Sequence, residues 1–130
     1  MSSFYSVKAR NLAIDGIASE ITEVRLHTAD PGSDGTLNEV TGGDPAYAPQ
    51  AIAPGDILAG VDGEAILDAE KDIEFDGPAE EDCPWASYWD GNGDHLLNAP
   101  VITTGDPKFS GDGKFILKGG DTLFRAVNPS

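Results

Sequence analysis

Glycine and proline are spread along the whole chain and divide it into short segments. The 16 Gly and nine Pro together make up 25 of the 130 residues, and a disordered tail would concentrate them in one place. Short segments favour strands of a few residues joined by turns. We therefore predict a mainly β protein, in which residues 1–130 form one antiparallel β-sandwich of about seven or eight short strands.

Period-two alternation of apolar and polar residues marks three candidate strands, residues 22–28, 72–76 and 85–89, and short strand-like runs between turns mark the others. The full set of candidate strands is residues 22–28, 47–52, 64–67, 72–76, 85–89, 96–102, 114–117 and 122–127. The Asp, Asn and Gly residues at 90–94 and 111–113 are typical of hairpin turns. We expect a core that contains Val24, Phe75, Phe115, Leu117, Leu123 and either Trp85 or Trp89.

The N-terminal segment, residues 4–21, has a different pattern, because its apolar residues recur every three or four positions. This spacing predicts one short amphipathic helix, broken or capped around Asp15 and Gly16. We expect the segment to lie at an interface with a sister copy or another protein. The alternative is that its apolar stripe caps the sandwich of its own chain. The residues expected at the interface are Phe4, Val7, Lys8 and Arg10.

The stretch from Leu26 to Tyr47 organises the rest of the chain. The first strand ends at Asp30-Pro31-Gly32, where proline sets φ for a turn and glycine accepts a positive φ. A polar loop follows, with only Leu37 and Val40 as apolar anchors. We expect this loop, residues 30–44, to serve structure or assembly. His27 lies on the polar side of its strand, where we expect it to be solvated or bonded to the backbone.

Two motifs in this stretch, LHTADPG at residues 26–32 and NEVTGG at residues 38–43, are followed by a tyrosine. Together they resemble a family of small virion proteins of tailed bacteriophages, many from actinobacterial hosts. The likeness extends to Trp89-Asp90-Gly91 and to residues 120–123. The motif residues that carry it are His27, Asp30, Pro31, Gly32, Asn38, Gly42, Gly43 and Tyr47.

Members of that family are described as minor tail, head-fibre or capsid-decoration proteins. The resemblance implies a structural protein of the virion, assembled in the host cytoplasm. Its partners would be the major capsid protein or tail proteins, and the chain would form a homo-oligomer or a symmetric array.

The net charge of −15, from 23 acidic and eight basic residues, argues against anionic partners. Such a surface repels phosphate backbones and anionic membranes, so we expect neither nucleic acid nor a membrane as a partner. No stretch approaches the roughly 18 apolar residues of a membrane span, and no signal peptide is visible at the N-terminus. Cys83 is the single cysteine, which excludes an intrachain disulfide.

Asp90, Asn92 and Asp94 are weak candidates for a metal site, because they begin like a calcium loop. An EF-hand would continue with glycine and end with glutamate at its twelfth position, whereas His95 and Val101 stand there. A tight hairpin uses the same residue types. The single cysteine and the two histidines have no ligand spacing either, so we expect no metal or cofactor.

No sequence pattern indicates an enzyme. No serine sits in a G-x-S-x-G elbow, and Gly111-Asp112-Gly113-Lys114 lacks the spacer and the hydroxyl residue of a phosphate loop. None of the carboxylates stands out as one of a catalytic pair. We therefore expect a non-enzymatic protein without catalytic residues.

Three functions fit these observations. The expectation that we favour is a capsid decoration protein on the outer shell, because the chain has no fibrous repeat and its acidity suits the side away from DNA. A minor tail or tail-tip protein that contacts the host surface is the first alternative. A carbohydrate-binding β-sandwich module is the second, since Trp85, Tyr88 and Trp89 could stack on sugars; buried packing is the favoured role of these aromatic residues.

Overall fold

The computed structural model describes residues 6–61, 64–68, 70–101, 106–119 and 122–125, with the side chains of residues 54, 59–61, 64 and 123–125 left aside. Within these ranges one α-helix precedes nine short strands, and a 3-10 turn, Pro54–Asp56, lies between the second and third strands. In chain order they are α1 (Val7–Ala18), β1 (Glu23–His27), β2 (Gln50–Ala51), β3 (Ile57–Val61), β4 (Glu64–Leu67), β5 (Asp72–Asp76), β6 (Trp85–Trp89), β7 (His95–Pro100), β8 (Lys114–Lys118) and β9 (Leu123–Arg125). The prediction of a mainly β fold with a short N-terminal helix is confirmed.

The described strands form three antiparallel sheets around one shared core. Their orders are β2-β1-β6-β7, β3-β4-β9 and β5-β8. Apolar side chains from all three sheets and from α1 join a single hydrophobic cluster, which is the packing expected of a sandwich. Four of the predicted core residues belong to this cluster: Val24, Phe75, Phe115 and Leu117. The side chain of Leu123 lies outside the described set.

The four-stranded sheet has one apolar face and one polar face, and both are covered. Val24, Leu26, Ala86, Tyr88 and Ala99 pack into the core cluster. Because neighbouring residues of a strand point to opposite faces, Trp89 lies on the other side together with Arg25, His27 and Ser87. Trp89 is buried there and Trp85 is half-buried. A tryptophan of β6 is therefore buried, as predicted, but another residue of β6 takes its place in the main core cluster. Tyr88 fills that place.

Helix α1 starts at a serine cap, because the side chain of Ser6 accepts a hydrogen bond of 3.0 Å from the backbone N–H of Ala9. It runs through Asp15 and Gly16 without interruption to Ala18, so the predicted break there is wrong. A glycine inside a helix costs only about 1 kcal/mol, and Ile14 and Ala18 on either side are buried. The helix lies against β3, β4 and β9, and this inner face caps the sandwich of its own chain.

Two strands differ from the prediction. β3 was not predicted, and β2 is a pair of residues at the end of the predicted segment 47–52. Three Pro residues, at positions 45, 49 and 54, surround β2 and cannot donate to a ladder. Residues 102, 126 and 127 of the predicted strands lie outside the described residues.

Candidate functional site

The two motifs form one folded unit that lies over the polar face of the four-stranded sheet. We call residues 30–40 the strap. It begins with a turn in which the Asp30 carboxylate accepts the Gly32 N–H at 2.8 Å. Gly32 has φ +82°, in the region that favours glycine, and this confirms the predicted turn. Pro31 is buried beside it.

Asn38 closes the strap onto its own beginning. Its φ is +60°, and its amide nitrogen donates to the Asp30 carbonyl at 3.0 Å. The Asn38 carbonyl in turn accepts from the Thr28 backbone N–H at 2.8 Å. Asparagine tolerates the left-handed conformation and bonds to nearby backbone, so LHTADPG and NEVTGG are bonded directly to each other.

His27 anchors the middle of the strap to the sheet. Its Nδ1 lies 2.7 Å from the Leu37 carbonyl oxygen, and its Nε2 lies 2.7 Å from Ser87 Oγ. A carbonyl only accepts, so Nδ1 carries the proton and Nε2 accepts from the Ser87 hydroxyl. Trp89 Nε1–H also donates to Ser87 Oγ, at 2.8 Å.

His27 has no exposed surface, so the expectation of a solvated side chain is wrong, although the expected backbone bond is present. Burial lowers the pKa of His27, and the bond to the Leu37 carbonyl opposes this only in part. Periodicity could not reveal this burial, because the residues that cover His27 come from a loop.

A second anchor joins the strap to β7. Asn98 Nδ2 donates to the Gly32 carbonyl at 2.7 Å, and Asn98 Oδ1 lies 2.7 Å from His95 Nε2. Because the amide oxygen accepts, His95 Nε2 carries a proton. Gly35 sits so close to the His95 ring that an added Cβ would lie 2.3 Å from it. Ser87 and Asn98 were not singled out from the sequence, since each is an ordinary polar residue within a strand pattern.

The Tyr47 side chain accepts a backbone hydrogen bond from β1 that a neighbouring strand would otherwise accept. Its hydroxyl accepts the Leu26 N–H at 2.9 Å and donates to a Glu39 carboxylate oxygen at 2.9 Å. Its ring stacks on Phe75, with centroids 6.2 Å apart. Burial raises the pKa of Tyr47. Val40 completes the closure, because its N–H donates to the Leu26 carbonyl at 3.0 Å.

The last glycine of NEVTGG, Gly43, allows a close approach of backbones. Gly42 and Gly43 have φ of +90° and +97°. A Cβ on Gly43 would lie 2.3 Å from the carbonyl carbon of Gly77, and one on Gly113 would lie 2.6 Å from the Gly77 oxygen. Gly43 therefore meets the backbone just after β5 without room for a side chain, and Gly113, just before β8, meets the same Gly77; an added Cβ on Gly42 would meet nothing within 4 Å.

Ser87 and His27 have the spacing of a nucleophile and its base, but they are sealed inside the fold. Both are fully buried, and Trp89 and Leu37 occupy the remaining positions around them. In this arrangement no substrate atom can reach Ser87 Oγ. The pair holds the strap to the sheet.

Arg25 stands beside a surface depression of about 380 Å³, whose lining includes Glu39, Thr41 and Tyr47. The guanidinium lies 4.1 Å from the centre of a Trp89 ring and pairs with Glu23 at 2.7 Å and with Glu39 at 3.8 Å. Two carboxylates therefore compensate the cation of this depression. It offers no uncompensated charge to an anionic ligand.

A second depression, of about 530 Å³, is lined in part by Phe109, Lys108 and Lys114. Lys108 pairs with Glu80 at 3.2 Å, and Lys114 pairs with Asp76. These cations too have carboxylate partners.

The weak metal candidates form a hairpin turn between β6 and β7. The Asp90 carboxylate accepts the N–H groups of Asn92 and Asp94 at 2.8 and 2.9 Å, which is the usual way in which such a turn is held. Within the described ranges, no cluster of three or more His, Cys, Asp and Glu residues could hold a metal ion.

The predicted interface residues lie at the start of α1. Val7 is 46% exposed, Lys8 is exposed and Arg10 is half-buried, whereas Phe4 lies outside the described residues. The helices in the described part of the chain include none that is long and apolar enough to cross a membrane.

Comparisons of the chain with protein-family models, with curated proteins and with solved structures return no match.

Proposed function

We propose that this chain is a non-enzymatic structural protein of a tailed-phage virion, and more specifically a decoration protein on the outer face of the capsid. The proposal starts from the resemblance carried by LHTADPG and NEVTGG. It is strengthened by the use that the fold makes of these motifs, because their polar groups bond to one another and to the sheet. Because the motif residues stabilise the fold, they suit a structural protein better than an enzyme.

The charge of the chain agrees with this placement. A net charge of −15 disfavours the DNA side of a shell and suits an outer face that offers basic or apolar contacts. A small domain without a disulfide also gains stability from binding its neighbours, by mass action.

The aromatic residues of β6 give little support to the carbohydrate-binding alternative. Tyr88 and Trp89 are buried and Trp85 is half-buried, so this set presents no open platform on which a sugar ring could stack. The minor-tail alternative shares the resemblance, and only its location on the particle distinguishes it.

Immunogold electron microscopy tests the proposal. An antibody against the purified chain is applied to intact virions of a phage that encodes it, with virions from a gene-deleted phage as the control. We expect gold over the head. Gold at the tail or tail tip would show that the chain is a minor tail protein and not a decoration protein. Virions without specific gold would overturn the proposal that the chain is part of the virion.

A further inference from the structure

We propose that the strap, residues 30–40, is an acid-releasable cover that lifts from the four-stranded sheet when His27 takes up a proton, while the core beneath it stays folded. This inference rests on the geometry of the chain itself and holds whatever partner the protein binds.

Both histidines of the chain lie beneath the strap. His27 bonds to the Leu37 carbonyl at its middle, and the His95 ring packs against Gly35. Histidine is the side chain that changes charge between about pH 5 and pH 8. The two groups most able to respond to mild acid are thus placed where the strap meets the sheet.

A proton on His27 breaks the arrangement that holds the strap. Nε2 would change from an acceptor to a donor facing Ser87 Oγ, and the Ser87 hydroxyl would lose its own acceptor. The new charge would also sit where His27 has no contact with water. Burying a charge without a partner is costly.

Glu39 attracts a proton to His27, but the loss of solvation of the buried ring outweighs this attraction. The strap supplies Glu39, which already bonds to the Tyr47 hydroxyl and pairs with Arg25. Arg25 on the same strand and His95 on β7 both disfavour a second cation. From β6, the neutral Ser87 bonds to the ring, and the neutral Trp89 bonds to Ser87 in turn. The ring therefore gains solvation for its charge when the strap moves away.

Lifting the strap withdraws one side chain, Val40, from the core cluster and leaves the rest of the core in place. His27 lies on the polar face of the sheet, whereas Val24, Leu26 and Tyr88 pack into the core from the opposite face. Apart from Val40, the strap buries little apolar surface: Pro31 is its other buried apolar side chain, and Leu37 is 57% exposed. Segments held mainly by hydrogen bonds open locally at low free-energy cost.

His95 serves as an internal control. Its Nε2–H bonds to Asn98, and that bond survives a second proton on Nδ1. Protonation of His95 therefore leaves the Asn98 contact with the Gly32 carbonyl intact. Release by acid depends on His27 and not on the total charge of the two rings.

Native-state hydrogen exchange of the full chain, followed by NMR between pH 7.5 and pH 5, tests the proposal. The reporters are the backbone amides of Thr28 and Val40, which bond across the strap, with the amides of the β5–β8 ladder as the core reference. After correction for intrinsic exchange, we expect the opening constant of the strap to rise below about pH 6.5, by up to about tenfold per pH unit. The core reference should not change.

Two variants assign the effect. His27→Asn keeps an N–H that can donate to the Leu37 carbonyl but does not titrate, so its strap opening should be independent of pH. His95→Gln keeps a donor for Asn98 and should retain the wild-type pH dependence. If His27→Asn folds poorly, the ring resonances of His27 in the wild-type chain replace it, and they should titrate together with the Val40 amide.

Three results would overturn the proposal. The first is strap exchange that does not depend on pH in the wild-type chain. The second is a simultaneous loss of protection in strap and core. The third is a pH dependence that survives in His27→Asn, or a His27 ring that titrates without any change at Val40.

Discussion

The substitution Tyr47→Phe removes one hydroxyl from the fold and leaves the ring in place. That hydroxyl is the partner of the Leu26 N–H at 2.9 Å, and Leu26 is fully buried. The ring stays stacked on Phe75, so apolar packing is unchanged. The substitution therefore isolates the hydrogen bond by which Tyr47 stands in for a strand.

The expected cost follows from the buried N–H group that is left without a partner. An unsatisfied buried donor costs about 1–3 kcal/mol. For a chain of this length that corresponds to a fall of roughly 3–15 °C in melting temperature. Urea unfolding followed by circular dichroism measures the free energy, and faster exchange of the Leu26 amide should accompany its loss.

Glu39→Gln is the matched control. The amide oxygen of glutamine still accepts from the Tyr47 hydroxyl, so the substitution removes only the 3.8 Å ion pair between Glu39 and Arg25. The side chain of Arg25 is 27% exposed and that of Glu39 is 29% exposed. A partly exposed pair of this kind contributes less than about 1 kcal/mol. The role assigned to Tyr47 is wrong if Tyr47→Phe unfolds at the same urea concentration as the wild type, or if Glu39→Gln costs more than Tyr47→Phe.

Three further predictions concern the turn, the metal candidates and the helix. Gly32→Val should lower the free energy of unfolding by about 1–3 kcal/mol, because valine is strained at a positive φ. The control is Gly16→Ala in α1, where an added Cβ meets nothing within 4 Å, and it should stabilise the chain by about 0.5–1 kcal/mol. Equal melting temperatures for Gly32→Val and the wild type would count against the turn. EDTA should leave the melting temperature unchanged, and a fall of several degrees that calcium reverses would establish a metal site. Replacing the exposed Val7 by Ser and Lys8 by Glu should abolish binding to phage particles without lowering the melting temperature. The control Ile116→Thr on β8 should change neither the binding nor the melting temperature. Full binding by the Val7 and Lys8 variant would show that α1 only caps its own sandwich.

The strands that alternate cleanly were predictable from the sequence. β5 and β6 have the predicted bounds, and the turn at Asp30-Pro31-Gly32 follows from the backbone preferences of its residues. β3 was missed although Asp62-Gly63, a dipeptide typical of hairpins, separates it from β4 in the sequence. The helix was predicted with a break because Gly16 weakens local propensity, and the burial of Ile14 and Ala18 outweighs that preference.

The site depended on contacts that no local pattern contains. His27 alternates with apolar neighbours as a solvent-facing residue would, and only the return of the strap buries it. Its partner Ser87 is 60 positions away, and Asn98 meets Gly32 across 66 positions. Gly43 is required by the backbone at Gly77, a contact that becomes visible only once β5 and the strap are placed together.

The central proposal, that the chain is a component of the virion exterior, is tested most directly by adding purified protein to particles. Heads from a phage in which the gene has been deleted are mixed with increasing amounts of the full chain and sedimented, with bovine serum albumin as a negative control. We predict saturable co-sedimentation, with a stoichiometry that matches the symmetry of the shell. Protein that stays in the supernatant at every concentration, while the deleted particles remain intact and infectious, would contradict the proposal.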